Sequence, residues 1–171
     1  MNDSEGRPVD AVDEIRAGWA ALRPELDTSA IDVVGRVIRA SALIVRATEA
    51  LLAEHGLTRG EFDILTTLRR ARTAQSPTSL RTIALASAPA ITKRVHSLER
   101  RGLLRRSANP ADGRSTLIAL TEAGEELVDR AFPEVLAIER ELLAGVSEER
   151  GAEASRSLRA VLASVETAAH R

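Results

Sequence analysis

The chain has 171 residues, 44% of them hydrophobic and 29% charged, with 24 Lys and Arg against 25 Asp and Glu, for a formal net charge of −1. That size suits one domain, or one domain with an added element, and the composition is that of a soluble globular chain with a real core. The absence of cysteine excludes a disulfide framework, a thiolate zinc site, a nucleophilic cysteine and a thiol-based redox sensor. The N-terminus, Met1 to Asp13, is acidic and polar, unlike a signal or transit peptide, and no apolar run reaches transmembrane length. A cytoplasmic protein without a membrane partner is therefore expected.

Asp10–Leu22 reads as a short helix stopped by Pro24. Ser29–His55 reads as a long one, with Ile31, Val34, Ile38, Ile44 and Leu51 at helical spacing and Gly56 as its stop. Thr58 and Glu61 form a capping-box signature that opens a helix with Phe62, Leu65 and Leu68 on one face. After a loop over Thr73–Thr78, Ser79 is expected to cap a short helix through Ala86. Ser87 then caps the next helix, with Pro89 in its first turn and Gly102 as its terminator. Leu103–Ser107 and Ser115–Leu120 read as two strands joined through Asn109-Pro110 and Asp112-Gly113, both turn dipeptides. Thr121 caps a helix over about Glu122–Ala144, which Pro133 is expected to kink or interrupt. Gly145 ends it, and Ser147 opens a last helix to about Ala169. The fold class is mostly α with a small β-hairpin wing.

The near-zero net charge conceals a strong asymmetry. Residues 69–114 carry eleven cations against Glu99 and Asp112, a net +9, which leaves −10 for the rest. A basic island on an acidic scaffold is the electrostatic footprint of a DNA-contacting module. Its elements, helix, tight turn, helix and hairpin, are those of a winged helix-turn-helix. In the second of these helices Ile91, Val95 and Leu98 must face the core, which turns Ala90, Thr92, Lys93, His96, Ser97 and Arg100 outward. Thr92, Lys93 and His96 can then reach base edges, with Ser87, Ala90, Ser97 and Arg100 beside them and flanking arginines on phosphates. At the wing tip Arg114 can enter a narrow minor groove, braced by Asp112. The competing reading of the same elements is a winged module that makes protein contacts and binds no nucleic acid.

The run Ile91-Thr92-Lys93-Arg94-Val95-His96-Ser97-Leu98-Glu99-Arg100-Arg101-Gly102-Leu103 resembles the recognition-helix signature of MarR-type regulators. Asn109-Pro110-Ala111-Asp112-Gly113-Arg114, followed by Leu120-Thr121, resembles the wing of that family and the cap of its next helix. The resemblance runs from about Ile31 to the C-terminus. It departs at Asn109, where the wing often has Asp, and at Gly113, where it often has Arg, so one wing cation is missing. It implies a homodimer built by the N- and C-terminal helices, set on pseudo-palindromic double-stranded DNA. The domains on this reading are an N-terminal extension with an extra helix (1–28), a dimerisation helix (29–57), the winged module (58–120) and C-terminal dimerisation helices (121–171). The terminal helices carry more apolar surface than the DNA module can cover, which an isologous dimer would bury.

The extension that holds Trp19, the only tryptophan, resembles the urate-responsive and PecS-like subgroup. The resemblance implies a ligand site made by a Trp on the added helix, an Asp on the second standard helix, an Arg on the recognition helix and an Arg on the first wing strand. Trp19, Asp63, Arg94 and Arg106 stand at the matching positions. An indole stacks on a planar heterocycle, arginines take an anionic oxygen, and Asp63 accepts a ring N–H. A urate- or xanthine-like effector or another small anion is the implied partner. The plainer alternatives are that Trp19 pins the extra helix, that Asp63 and Arg94 form an ion pair, and that Arg106 touches phosphate. His55, His96 and His170 lack ligand spacing, so no metal or cofactor is expected.

No phosphate loop, nucleophile elbow or metal triad occurs, so a binding protein and not an enzyme is expected. The leading expectation is a ligand-responsive transcriptional repressor. The alternatives are a MarR-type regulator answering phenolic or lipophilic compounds in an apolar cleft, and an architectural or protein-interaction module.

Overall fold

A computed structural model describes residues 9–84, 87–110 and 112–169. The chain separates between Ala50 and Leu51 into two compact units.

In the first unit, helix α1 (Ala11–Leu22) starts one residue after Asp10, which acts as its cap: the Asp10 carboxylate accepts from the backbone of Val12 at 2.8 Å and of Asp13 at 3.1 Å. Asp13 returns the favour to the Asp10 backbone at 3.0 Å, closing a capping box. Helix α2 (Ile31–Glu54) begins at the first residue of its apolar pattern, two residues after Ser29, and its last turn from Leu51 belongs to the second unit. Gly35 brings the two helices together, because a Cβ there would meet the Val12 side chain at 3.0 Å, and Val12 is buried. Arg36 gathers the carboxylates of Asp10 at 2.8 Å, Asp13 at 2.6 Å and Asp32 at 3.4 Å. Val33, Val34, Val37, Ile38 and Leu43, much of the apolar repeat of α2, are exposed.

The second unit holds α3 (Arg59–Ala71), α4 (Pro77–Ala84), α5 (Ala88–Arg100), strands β1 (Leu104–Asn109) and β2 (Asp112–Leu120), α6 (Glu122–Leu142) and α7 (Glu148–Ala169). Its core collects the inward residues anticipated for α3 and α5: Phe62, Leu65, Leu68, Ile91, Val95 and Leu98 are all buried. Leu80 of α4, Ile118 of β2 and Val128 of α6 close the cluster. The strands pair antiparallel, Leu104 opposite Leu120 and Arg106 opposite Ile118. Gln75 extends this sheet by exchanging both backbone hydrogen bonds with Ile118 at 2.8 Å.

Three local expectations are corrected. Helix α4 starts at Pro77, not after Ser79, because Ser76 is the capping hydroxyl, accepting from the Ser79 backbone at 3.1 Å, and Pro77 fits a first helical position where no N–H is needed. The strands reach Asn109 and Asp112, farther toward the wing tip than anticipated, with a register shift between Ala108 and Asn109. Pro133 does not interrupt α6, which runs through it for 21 residues. Around it, burial of Val128, Ala131 and Val135 holds the helix together despite the lost backbone donor.

No buried residue occurs on α7, where Leu158, Leu162 and Val165 are exposed. No helix among the described residues is long and apolar enough to cross a membrane.

Candidate nucleic-acid interface

Helix α5 divides its surface four ways. Ile91, Val95 and Leu98 point into the core. Thr92, Lys93, His96 and Arg100 are exposed on the opposite side, where recognition residues were anticipated. The hydroxyl of Thr92 donates to the Ala88 carbonyl at 2.9 Å, which commits its proton to the helix backbone. Ser87 caps the helix, accepting from the Ala90 backbone at 3.4 Å, so its hydroxyl sits at the helix entrance. Ala90 is half-buried. The side chains of Asp112 and Arg114 lie outside the described residues.

Ser97 is corrected. It does not face outward with Lys93 and His96: its hydroxyl donates to Oε1 of Glu61 at 2.8 Å, on the flank of α5 that meets α3. Glu61 is 7% exposed. Its other oxygen accepts from the Thr58 backbone at 3.0 Å and the Thr58 hydroxyl at 3.1 Å, and Arg101 approaches Oε1 at 3.7 Å. Burial by itself would raise the pKa of this carboxyl. The Thr58 N–H, the Ser97 and Thr58 hydroxyls and the Arg101 charge outweigh it and hold the group below its ordinary value.

The stability that ionised Glu61 contributes is thus complete above pH about 4.5, the unfolded value, and is lost as pH falls toward the lower folded value. A Glu61→Gln variant is expected to lose less stability on acidification through that window than the wild type. Urea unfolding at a series of pH values checks this; parallel losses would count against it.

The three other members of the implied ligand site in this unit are placed separately. Asp63 accepts from Arg59, one turn earlier, at 2.9 Å. The guanidinium of Arg94 lies against Gly60, so closely that a Cβ on Gly60 would overlap it. Arg106 on β1 donates to Glu99 at 3.0 Å, pinning the wing to the far flank of α5. No hydrogen bond or ion pair joins any two of Asp63, Arg94 and Arg106, so the anticipated Asp63–Arg94 ion pair is not formed and Arg59 takes that role. Trp19 belongs to the first unit and is 46% exposed. Among the described residues no cluster of metal-ligating side chains occurs.

Two features carry more than their sequence signals suggested. Glu61 read as a cap, and it is one, but it also reaches α5. Gly60 carries a signal of its own, because a glycine at the second position of a helix costs propensity and so flags a close approach.

A cavity of about 1100 Å³ opens between the C-terminal half of α3, the hairpin and α6. Leu68, Leu120, Val128, Phe132 and Pro133 supply apolar surface, and Arg70, Arg72 and Arg105 stand around it. Arg69, also on its wall, is committed to Glu125 at 3.2 Å and Asp129 at 2.8 Å, an arrangement that ties α3 to α6. The hydrogen bond from Arg69 lowers the pKa of Asp129, and Asp129 raises that of Arg69.

A short helix, a second helix with one exposed polar face following it in the chain, and a hairpin pinned to that second helix define a winged helix-turn-helix. Residues 57–116 match the sequence model of the MarR family. The chain is 38% identical over 157 residues, 91% of its length and 92% of the relative's, to the HTH-type transcriptional regulator PecS of Dickeya dadantii (strain 3937). It belongs to the MarR family of winged-helix transcriptional regulators.

Solved structures agree in fold. A mutant MarR from E. coli complexed with operator DNA superposes with a TM-score of 0.70 at 22% identity, covering 84% of this chain and 97% of that one. CouR from Rhodococcus jostii, bound to p-coumaroyl-CoA, superposes with a TM-score of 0.68 at 24% identity, covering 79% and 95%.

Proposed function

We propose that the protein is a cytoplasmic repressor that binds a pseudo-palindromic DNA site as a homodimer and is released by a small, anionic, planar effector such as a purine. The observation that carries DNA binding is the exposed face of α5, with Thr92, Lys93, His96 and Arg100 turned away from the core on the most basic stretch of the chain. Ser87 and Ala90 at the helix entrance and Asp112 and Arg114 at the wing complete the contact set. The dimer reading is supported by apolar side chains that a monomer leaves in water: Val34 and Ile38 on α2, Leu158, Leu162 and Val165 on α7. Such a dimer carries two copies of the basic island to one face of the duplex, and binding then weakens steeply with salt.

The purine reading is supported by the relationship to PecS and by the presence of Trp19, Asp63, Arg94 and Arg106 at the positions the subgroup resemblance marks. Arg94 lies on the DNA-reading helix, so an effector that draws it off Gly60 couples to that helix. A coupling of about 1–3 kcal/mol is enough for release. A second reading, a phenolic or acyl-thioester effector, is favoured by the cavity beside α3 and α6, which combines apolar walls with Arg70, Arg72 and Arg105. CouR binding p-coumaroyl-CoA is the parallel.

Selection of binding sites from random duplexes is expected to recover a two-fold-symmetric sequence whose affinity falls by orders of magnitude between low and moderate salt. Flat recovery would rule out the regulator reading. Adding urate or xanthine to the complex is expected to release the DNA and quench Trp19 fluorescence, and release by aromatic acyl thioesters alone would favour the cavity instead.

A further inference from the structure

We infer that the first turn of α3 is a clasp that sets the orientation of helix α5, and that Glu61 and Gly60 are positioning residues for DNA recognition although neither faces the DNA. The inference rests on α5 being the recognition helix. Arg94, Ser97 and Arg101 recur at three- and four-residue spacing and so form one polar stripe along α5, between its core face and its exposed face. The same single turn, Thr58 to Glu61, receives all three. Gly60 seats the Arg94 guanidinium, Glu61 accepts from Ser97 at 2.8 Å, and Arg101 stands 3.7 Å from the same carboxylate oxygen.

The core residues alone do not fix this orientation. Ile91, Val95 and Leu98 meet the cluster through non-directional apolar contact, which tolerates a small roll of the helix. A buried, charge-assisted hydrogen bond does not, because a roll that lengthens it strands a carboxylate that is 7% exposed. Lys93 and His96 lie on the face next to the stripe, so a roll of α5 carries them sideways across the groove. Glu61 is itself oriented from behind by two bonds from Thr58. The stripe is thus referred to the N-terminal end of a rigid helix.

The test uses the full chain and a duplex obtained by selection with the wild type. Affinity for that duplex and for a scrambled one is measured for Ser97→Ala, Glu61→Ala, the double variant, Ser97→Thr and Gly60→Ala, with a melting curve for each. The clasp predicts that Ser97→Ala and Glu61→Ala each reduce the ratio of specific to non-specific affinity about tenfold, that the double variant is no worse than the poorer single one, and that Ser97→Thr stays within about twofold of wild type. Gly60→Ala, which improves helix propensity while evicting Arg94, is expected to lower the ratio without lowering the melting temperature. It carries the test should Glu61→Ala fail to fold. Additive losses from Ser97→Ala and Glu61→Ala would mean that Ser97 touches the DNA directly, and lower melting temperatures with an unchanged ratio would make the turn a stabilising contact only; either overturns the clasp. A wild type that selects no sequence overturns the DNA-binding reading, and the clasp with it.

Discussion

Replacing Gly124 with alanine is expected to lower the melting temperature by several degrees, roughly 3–10 °C. Gly124 occupies the first turn of α6, where its backbone donates to the capping hydroxyl of Thr121 at 3.1 Å. A Cβ at this position would collide with the carbonyl oxygen of Leu103 and crowd Leu120 at 3.1 Å. The carbonyl cannot retreat freely, because it accepts from the Thr121 backbone at 3.1 Å, while the Thr121 hydroxyl holds the neighbouring Gly102 carbonyl at 2.7 Å. Relief therefore requires α6 to move off the end of α5, at an overpacking cost of about 1–3 kcal/mol. Gly151→Ala is the control. A Cβ there meets nothing within 4 Å, so the substitution on α7 should be neutral or stabilising by up to about 1 kcal/mol. Thermal unfolding of both variants followed by circular dichroism checks the contrast; equal melting temperatures would refute it.

Lys93→Ala is expected to weaken binding to the selected duplex by about 1–3 kcal/mol, roughly five- to 150-fold, with the melting temperature unchanged. Lys93 is exposed beside His96 on the face of α5 that carries no core contact. If it meets a base edge the loss is confined to particular positions of the site. If it meets phosphate, binding weakens evenly across sequences and the salt dependence drops by about one charge. His96→Ala should act at positions neighbouring those of Lys93. Arg69→Ala provides the counterpart: its guanidinium is engaged by Glu125 and Asp129, so stability should fall and the affinity of the folded protein should hold. Fluorescence anisotropy with single-position variants of the duplex reads all three. Loss of DNA affinity from Arg69→Ala, with none from Lys93→Ala, would reverse the assignment of faces.

What could be read from the sequence was local. Thr58, Ser87 and Thr121 each act as a helix cap through a bond to the backbone three residues on, a distance within which side-chain type and spacing decide the outcome. The inward triads of α3 and α5 followed from helical periodicity for the same reason. The start of α4 was harder because Ser76, Thr78 and Ser79 compete as caps, and Pro77 was the discriminating signal. Pro133 leaves α6 continuous because its cost is set by tertiary burial around it, which periodicity does not weigh.

The polar site depended on distance along the chain. Arg59 stands one turn before Asp63, and their pairing was available from helical spacing alone. The bond from Ser97 to Glu61 spans 36 residues and arises only once α3 and α5 have crossed. No single-helix pattern contains it, so Ser97 was grouped with its exposed neighbours. The close approach of Arg94 to Gly60 is of the same kind.

The continuity of α6 through Pro133 makes that helix a lever. It is fastened to the core by Arg69, by burial of Leu127, Val128, Ala131 and Val135, and by the contact of Glu134 with His55 at 3.0 Å, while Leu142 at its far end is exposed. The helix beyond Val135 reaches about 10 Å, so a tilt of about 5° at the last fastened turn moves the far end by about 1 Å. A break at Pro133 would have absorbed such a tilt in the middle of the helix. As built, rotations of the DNA-reading module are carried along α6 to its exposed end.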